Sequence, residues 1–256
     1  MIYAIVFAFG LIIGSFLNVC IYRMPRELSI VRPASRCPSC GNGLKPWDNI
    51  PVLSFILLRG RCRYCGGRIS FRYPAVEFLN GLCYMLVLRE FGPDLSSLIF
   101  MIYFSTLIVI TFIDLDFQII PDVITLPGAA IALLLGIFLV SDPFERGTDL
   151  GMVQSLTGFF LGGGLFYAVA VLSRGGMGGG DIKMMAMVGA LTGWKGVLLT
   201  TFLGSLAGSV IGIGLMLFKG KGRKTRIPFG PFLALGSAIS VLWGQELLKL
   251  YLRGYS

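Results

Sequence analysis

Ser97-Leu-Ile-Phe-Met-Ile-Tyr-Phe-Ser-Thr-Leu-Ile-Val-Ile-Thr-Phe-Ile113 carries no charge and runs directly into Asp114-Leu-Asp116. A helix of about 20 apolar residues crosses a bilayer, so this stretch reads as a membrane span ending on a carboxylate. Similar segments recur at about Ile2–Tyr22, Pro74–Arg89, Val123–Val140, Val153–Leu172, Ile182–Thr192, Gly196–Phe218 and Phe229–Leu252. The fold expected is an all-α polytopic membrane protein of about eight helices. The first segment lacks a basic n-region and a small-residue cleavage site, so it is expected to stay as a helix.

Composition agrees. The 256 residues are 55% hydrophobic and 14% charged, with a mean hydropathy of +0.81. Soluble domains carry about a quarter charged residues. The 35 glycines suit closely packed membrane helices. Histidine is absent, which removes Ser-His-Asp and Cys-His catalysis and His-ligated metals. Acid–base chemistry must then come from carboxylates, Lys, Cys or Tyr.

The net charge is +9, and its placement is informative. Ten of the basic residues lie between Arg23 and Arg72, and five more between Lys219 and Arg226. The positive-inside rule reads both as cytoplasmic, beside anionic lipid. No groove-reading motif accompanies them, so nucleic acid is not the expected partner. The N-terminus then lies outside. Residues 89–94 and 141–151 follow on the external side, and 114–122, 174–181 and 219–227 on the internal side. Three parts result: a first helix (1–22), a cytoplasmic Cys-rich domain (23–73) and a remaining membrane domain (74–256).

Within the Cys-rich domain, Cys37-Pro-Ser-Cys40 and Cys62-Arg-Tyr-Cys65 are two CxxC pairs separated by 21 residues. Two such knuckles offer four thiolates for one tetrahedral zinc, as in zinc ribbons. Gly41 and Gly66 follow the pairs and permit tight turns. Disulfides are the alternative, although the compartment is reducing. Metal would hold together a segment that has little core of its own. Cys20 and Cys83 lie in spans and read as packing residues.

Asp114 stands where a carboxylate is costly unless paired or functional. Asp116 lies about 200° around the helix from it, if the helix continues. Asp122 follows Pro121 and can cap the next span, with Thr125 three residues on. The second acidic site is Arg174-Gly-Gly-Met-Gly-Gly-Gly-Asp181-Ile-Lys183, in which five glycines and a methionine precede a carboxylate at a span's start. Asp181 could simply cap that helix, or glycine backbone could let a peptide strand approach it. Asp114 and Asp181 both fall at cytoplasmic span ends. Two carboxylates in one dry site share a proton, and one can serve as base while the other acts as acid. Which does which is undetermined, because the pair titrates as a unit.

These residues resemble the bifunctional prepilin peptidases. Gly178-Gly-Gly-Asp181 matches the GxGD motif, alone a weak signal. Gly14-Ser-Phe-Leu-Asn18, Asn49-Ile-Pro51, Leu58-Arg-Gly-Arg-Cys62, Arg72-Tyr-Pro-Ala-Val-Glu77, Ile113-Asp114 to Ile120-Pro-Asp122 and Phe229-Gly-Pro231 accompany it in the expected order. The resemblance implies that Asp114 and Asp181 are catalytic, with Gly178, Gly180, Asp122 and Lys183 supporting them. It implies substrates that are type IV prepilins or secretion pseudopilins of a bacterial inner membrane, cut after a glycine and before an apolar segment. It also implies methylation of the new N-terminus with S-adenosylmethionine, with Gly60-Arg61 and Glu77 as candidate residues. Nothing else in the sequence points to methyl transfer.

Leader lysines would meet a basic cytoplasmic face, and residues 114–122 are the acidic landing place on it. Asp116 or Asp122 is therefore expected to attract the leader. Two other functions fit parts of the chain. A transporter would use Asp114 and Asp181 as proton relays, but a relay should continue across the bilayer. A scaffold recruiting partners through the cysteine knuckles leaves Asp114 without a reason.

Overall fold

The computed structural model describes residues 1–174, 176–219 and 227–253. Every regular element among them is helical. These are α1 (Ile2–Arg23), a short α2 (Leu53–Leu57), α3 (Arg72–Phe91), α4 (Leu95–Phe117), α5 (Asp122–Phe138), α6 (Gly151–Leu172), α7 (Gly179–Lys219) and α8 (Gly230–Arg253). α7 has 41 residues, which as one straight rod would measure about 60 Å, twice a hydrocarbon core. Gly193, at φ 66° and ψ −176°, breaks it into the two spans expected on either side of this point. Long helices thus number eight among the described residues, counting the two arms of α7.

Five of these segments are long and apolar enough to cross a membrane, α7 being counted once, and α5 is a shorter apolar helix. The burial pattern is that of a multi-pass membrane protein. Ile5, Phe9, Ile12, Ile131, Leu134 and Phe202 face outward, while Asn80, Ser105, Thr125 and Ser155 are buried. With lipid as solvent, polar side chains turn inward to find partners.

The chain forms two compact units, Met1–Pro93 with Phe100–Val109, and Asp94–Ile99 with Ile110–Ser256. In the first, α1 packs along α3. Gly10 and Gly14 let the backbones approach so closely that an added Cβ would meet the Cα of Gly81 at 2.7 Å and of Glu77 at 2.6 Å. Buried hydrogen bonds reinforce the contact. Asn80 Nδ2 donates to the Gly10 carbonyl at 2.7 Å, Ser105 Oγ donates to Asn80 Oδ1 at 2.9 Å, and the Tyr84 hydroxyl meets Ser105 Oγ at 3.0 Å.

In the second unit, α6 packs on the first arm of α7 through facing glycines. A Cβ on Gly158 would overlap the carbonyl of Gly189, and one on Gly162 the carbonyl of Met185. Ser155 Oγ donates to the Ala190 carbonyl at 2.7 Å. α5 lies against the same two helices, and Gly136 makes the approach that brings it to Ala190. The loop 141–150 is tied by Arg146, which donates to the Leu242 carbonyl at 2.6 Å, and by the Lys195–Glu145 ion pair. Of the loop expected at 219–227, residues 220–226 lie outside the described residues, as does Gly175.

Candidate active site and metal centre

Asp114 lies inside α4, not at its end, because the helix continues to Phe117. It is 5% exposed, whereas Asp116, on the opposite side of the same turn, is exposed. The Gln118 N–H donates to the Asp114 carbonyl at 2.9 Å and closes the helix. The carboxylate is held by a backbone donor: the Gly230 N–H, at the start of α8, reaches Asp114 Oδ2 at 3.0 Å.

Asp181 sits in the first turn of α7, where helix amides favour negative charge. Its N–H donates to the Gly178 carbonyl at 3.2 Å. Its carboxylate is half-buried and within electrostatic reach of Asp114. Ile120, in the linker between α4 and α5, is the wedge that sets this corner. A Cβ on Gly180 would fall 2.6 Å from Ile120 Cβ, and one on Gly230 would fall 3.2 Å from Ile120 Cδ1 and 2.7 Å from Asp114 Oδ2. Gly180 and Gly230 are therefore required by close approach within the protein. Gly179 is exposed with nothing near an added Cβ, and one on Gly178 would meet Asp181 Oδ2 at 3.4 Å and the Gly180 nitrogen at 4.0 Å, both ordinary contacts. The open side of the glycine turn is at 178–179.

Asp122 does not cap α5. Pro121 occupies the cap position without a side-chain bond, and Thr125 Oγ1 donates back to the Pro121 carbonyl at 3.3 Å. Asp122 Oδ1 instead accepts from Lys183 Nζ at 2.6 Å. A charge-assisted bond to the neighbouring helix is stronger than a cap to its own. That pairing also balances the charge on Asp122, one of the two residues, with Asp116, expected to attract the leader. Asp114, Asp181, Gly178, Gly180, Asp122 and Lys183 thus gather within one corner of the second unit. Gly230 was missed as a donor, although Phe229-Gly-Pro231 was the sequence signal that could have found it.

The two CxxC pairs form matching knuckles. In the first, the Cys37 N–H donates to the Asn42 carbonyl at 2.9 Å and Gly41 N–H to the Cys37 carbonyl at 2.9 Å. In the second, Cys62 N–H reaches the Gly67 carbonyl at 2.8 Å and Gly66 N–H the Cys62 carbonyl at 3.0 Å. Gly41 and Gly66 have φ of 72° and 69°, a turn that glycine makes without strain. Short bridges, Arg36 with Gly43 and Arg61 with Arg68, close each knuckle. All four Sγ atoms lie within 4.8 Å of one another, and Cys37 and Cys65 are 3.9 Å apart. A tetrahedral ion with metal–sulfur bonds of 2.3 Å needs sulfurs about 3.8 Å apart, so the four cysteines can hold a metal ion. The Cys40 backbone, first among several donors, pulls the Cys37 thiol down to about 6, while, against the Gly67 backbone donor, the neighbouring sulfurs push Cys65 up to about 11, so the first proton leaves the cluster more readily than the later ones.

Gly60 and Glu77 have structural roles. Gly60 has φ 67°, and an added Cβ would lie 3.0 Å from the Phe55 ring. Arg61 is exposed in the second knuckle. Glu77 is buried in α3, and its Oε2 accepts the Val52 N–H at 2.7 Å while its carboxylate also bonds the Ser15 side chain.

The family profile described as "Bacterial Peptidase A24 N-terminal domain" matches residues 8–91, and the "Type IV leader peptidase family" profile matches residues 101–213. A Pseudomonas putida protein is 35% identical over 93% of this chain and 89% of its own length. An Aeromonas hydrophila protein is 35% identical over 99% and 94%. One from Bacillus subtilis strain 168 is 35% identical over 98% of each. All three carry the name "Prepilin leader peptidase/N-methyltransferase". No solved structure gives a significant match.

Proposed function

This chain belongs to the type IV leader peptidase family, and on that premise we propose that it removes prepilin leader peptides with Asp114 and Asp181 as its catalytic pair. The observation that carries the assignment is the buried Asp114 carboxylate, oriented by the Gly230 N–H with Asp181 in electrostatic reach.

Hydrolysis needs a base to take a proton from water as oxygen attacks the scissile carbonyl, and an acid to protonate the departing amine. A pair sharing one proton provides both, and the two exchange roles as the proton passes. The Gly230 donor holds one oxygen of Asp114, and the other is the one we assign to the proton exchange. Gly178 and Gly179 let an extended substrate backbone approach Asp181. Asp122 and Lys183 form the polar rim, with a leader lysine able to compete for Asp122.

The test compares cleavage of a purified prepilin by the wild type with Asp114→Asn and Asp181→Asn. Asn keeps size and hydrogen bonding but exchanges no proton, so either change should lower the rate by about 10²–10⁴-fold or more. Folded variants that both still cleave would sink the dyad.

Zinc is the ion that best suits the tetrathiolate site. The relatives' name supports a second activity, N-methylation, whose donor would be S-adenosylmethionine supplying an electrophilic methyl group. Of the candidate residues, Arg61 is exposed and could hold a carboxylate of such a cofactor. Gly60 and Glu77 would act indirectly, by shaping the loop between the knuckles and fixing it to α3. The division we favour is a first helix (1–22), a Cys-rich domain (23–73) carrying this second activity, and a peptidase domain (74–256). Pseudopilins share the substrate chemistry. The Cys-rich domain and both aspartates are placed on the cytoplasmic side of the inner membrane, with the N-terminus outside, on the support of the basic residues 23–72 and 219–226.

A further inference from the structure

The short helix α2 presents an apolar face that no residue of its own unit covers. Leu53, Ile56 and Leu57, at i, i+3 and i+4, are 58%, 62% and 80% exposed. The opposite side is anchored. Phe55 meets Phe71 edge to face at 6.2 Å between ring centres and lies against Gly60. Phe71, directly before α3, is itself 74% exposed.

The height of α2 relative to the bilayer can be read from its neighbours. Tyr22 at the end of α1 and Tyr73 at the start of α3 are partly exposed, and tyrosines at span ends mark the headgroup level. Val52, the residue preceding α2, donates its N–H to Glu77 at 2.7 Å. Glu77 lies four residues beyond Tyr73, about 6 Å further along the helix. Val52 makes this bond with φ 60° and ψ −48°, a conformation unfavourable for a β-branched residue. The buried carboxylate therefore ties the start of α2 to the first turns of α3, within about one helical turn of Tyr73.

The charge around α2 is complementary to a membrane surface. Arg59 follows α2 by two residues, and Arg61 and Arg68 are paired across the second knuckle. All three are exposed, and among the described residues no carboxylate pairs with them. Apolar residues flanked by arginines are the composition of an interfacial anchor on anionic lipid.

We propose that α2 is such an anchor. Leu53, Ile56, Leu57 and Phe71 enter the acyl–headgroup boundary beside α3, and Arg59, Arg61 and Arg68 meet anionic headgroups. The Cys-rich domain is thereby seated on the bilayer, where the N-termini of membrane-held substrates emerge. This assignment is independent of the chemistry at Asp114.

The test uses the full chain in vesicles of phosphatidylcholine and phosphatidylglycerol, with and without acyl chains brominated near the headgroup. Leu57→Trp adds a reporter on the apolar face, Asn42→Trp adds one on the first knuckle, and the wild type gives the background of the native tryptophans. The exposed position of Leu57 lets the substitution fold, which an unchanged melting temperature verifies. Expected is quenching of most of the added Leu57→Trp emission by brominated chains, with little at Asn42→Trp. Quenching should be weaker in vesicles of phosphatidylcholine alone. Equal quenching at the two positions would overturn the proposal. So would a blue-shifted Leu57→Trp emission untouched by bromine, since protein rather than lipid would then cover the face. Quenching that is indifferent to phosphatidylglycerol would remove the arginines from it.

Discussion

At Gly230 the backbone reaches Asp114 because no side chain stands in the way. A Cβ there would lie 2.7 Å from the carboxylate oxygen it serves. Gly230→Ala should therefore cut leader cleavage at least tenfold, while overpacking costs about 1–3 kcal/mol of stability; a rate assay beside a melting curve separates the two. The glycine turn divides in the same way. Gly180→Ala collides with Ile120 and should lower both stability and rate, whereas Gly179→Ala has open space around it. A loss of rate at Gly179→Ala with an unchanged melting temperature would place substrate backbone there. Asp114 was legible in the sequence because a carboxylate in an apolar span needs a reason. Its donor was not, since the bond joins positions 116 apart and a glycine amide carries no chemical signature. Asp122 was misread as a cap for the same cause: its partner Lys183 is 61 residues away, and local pattern favoured the nearer explanation.

Among the elements, the α6–α7 contact depends on backbones touching where side chains would normally intervene. Gly158→Val must push the helices apart against the Gly189 carbonyl. It should destabilise the fold by more than an ordinary core substitution, about 3 kcal/mol or more, measured as lost yield of folded protein in detergent. The cysteine knuckles are the opposite case, a local device visible in sequence. Their spacing specifies two turns, and the fold then brings the four sulfurs within 4.8 Å. One metal ion per chain should be found by elemental analysis and released by a strong chelator or by acid, because only thiolates bind it. Stoichiometry unchanged in Cys37→Ser/Cys62→Ser would refute the site. Helix positions were also legible, since apolar runs bounded by charge mark spans. Their ends were less so: α4 continues four residues past Ile113 because helix propensity outlasts the apolar run.

For the whole molecule, the asymmetric distribution of basic residues predicts a topology that labelling can check. A membrane-impermeant thiol reagent applied to intact cells should modify Thr148→Cys in the loop 141–150 and leave Met177→Cys untouched until the cells are opened. The reverse pattern would invert the assignment. Amino-acid sequence by itself determined that the chain is a multi-pass helical membrane protein, that any acid–base chemistry falls to groups other than histidine, and that four cysteines form a ligand set. Each follows from a property carried by neighbouring residues: hydropathy over a span, the absence of histidine, the spacing of a knuckle. Only the tertiary structure decided that Ile120 wedges between Gly180 and Gly230, that Asp114 is held by an amide from α8, that Lys183 takes Asp122, and that Glu77 ties Val52 to α3. These are contacts between segments far apart in the chain, and close packing rather than local preference selects them.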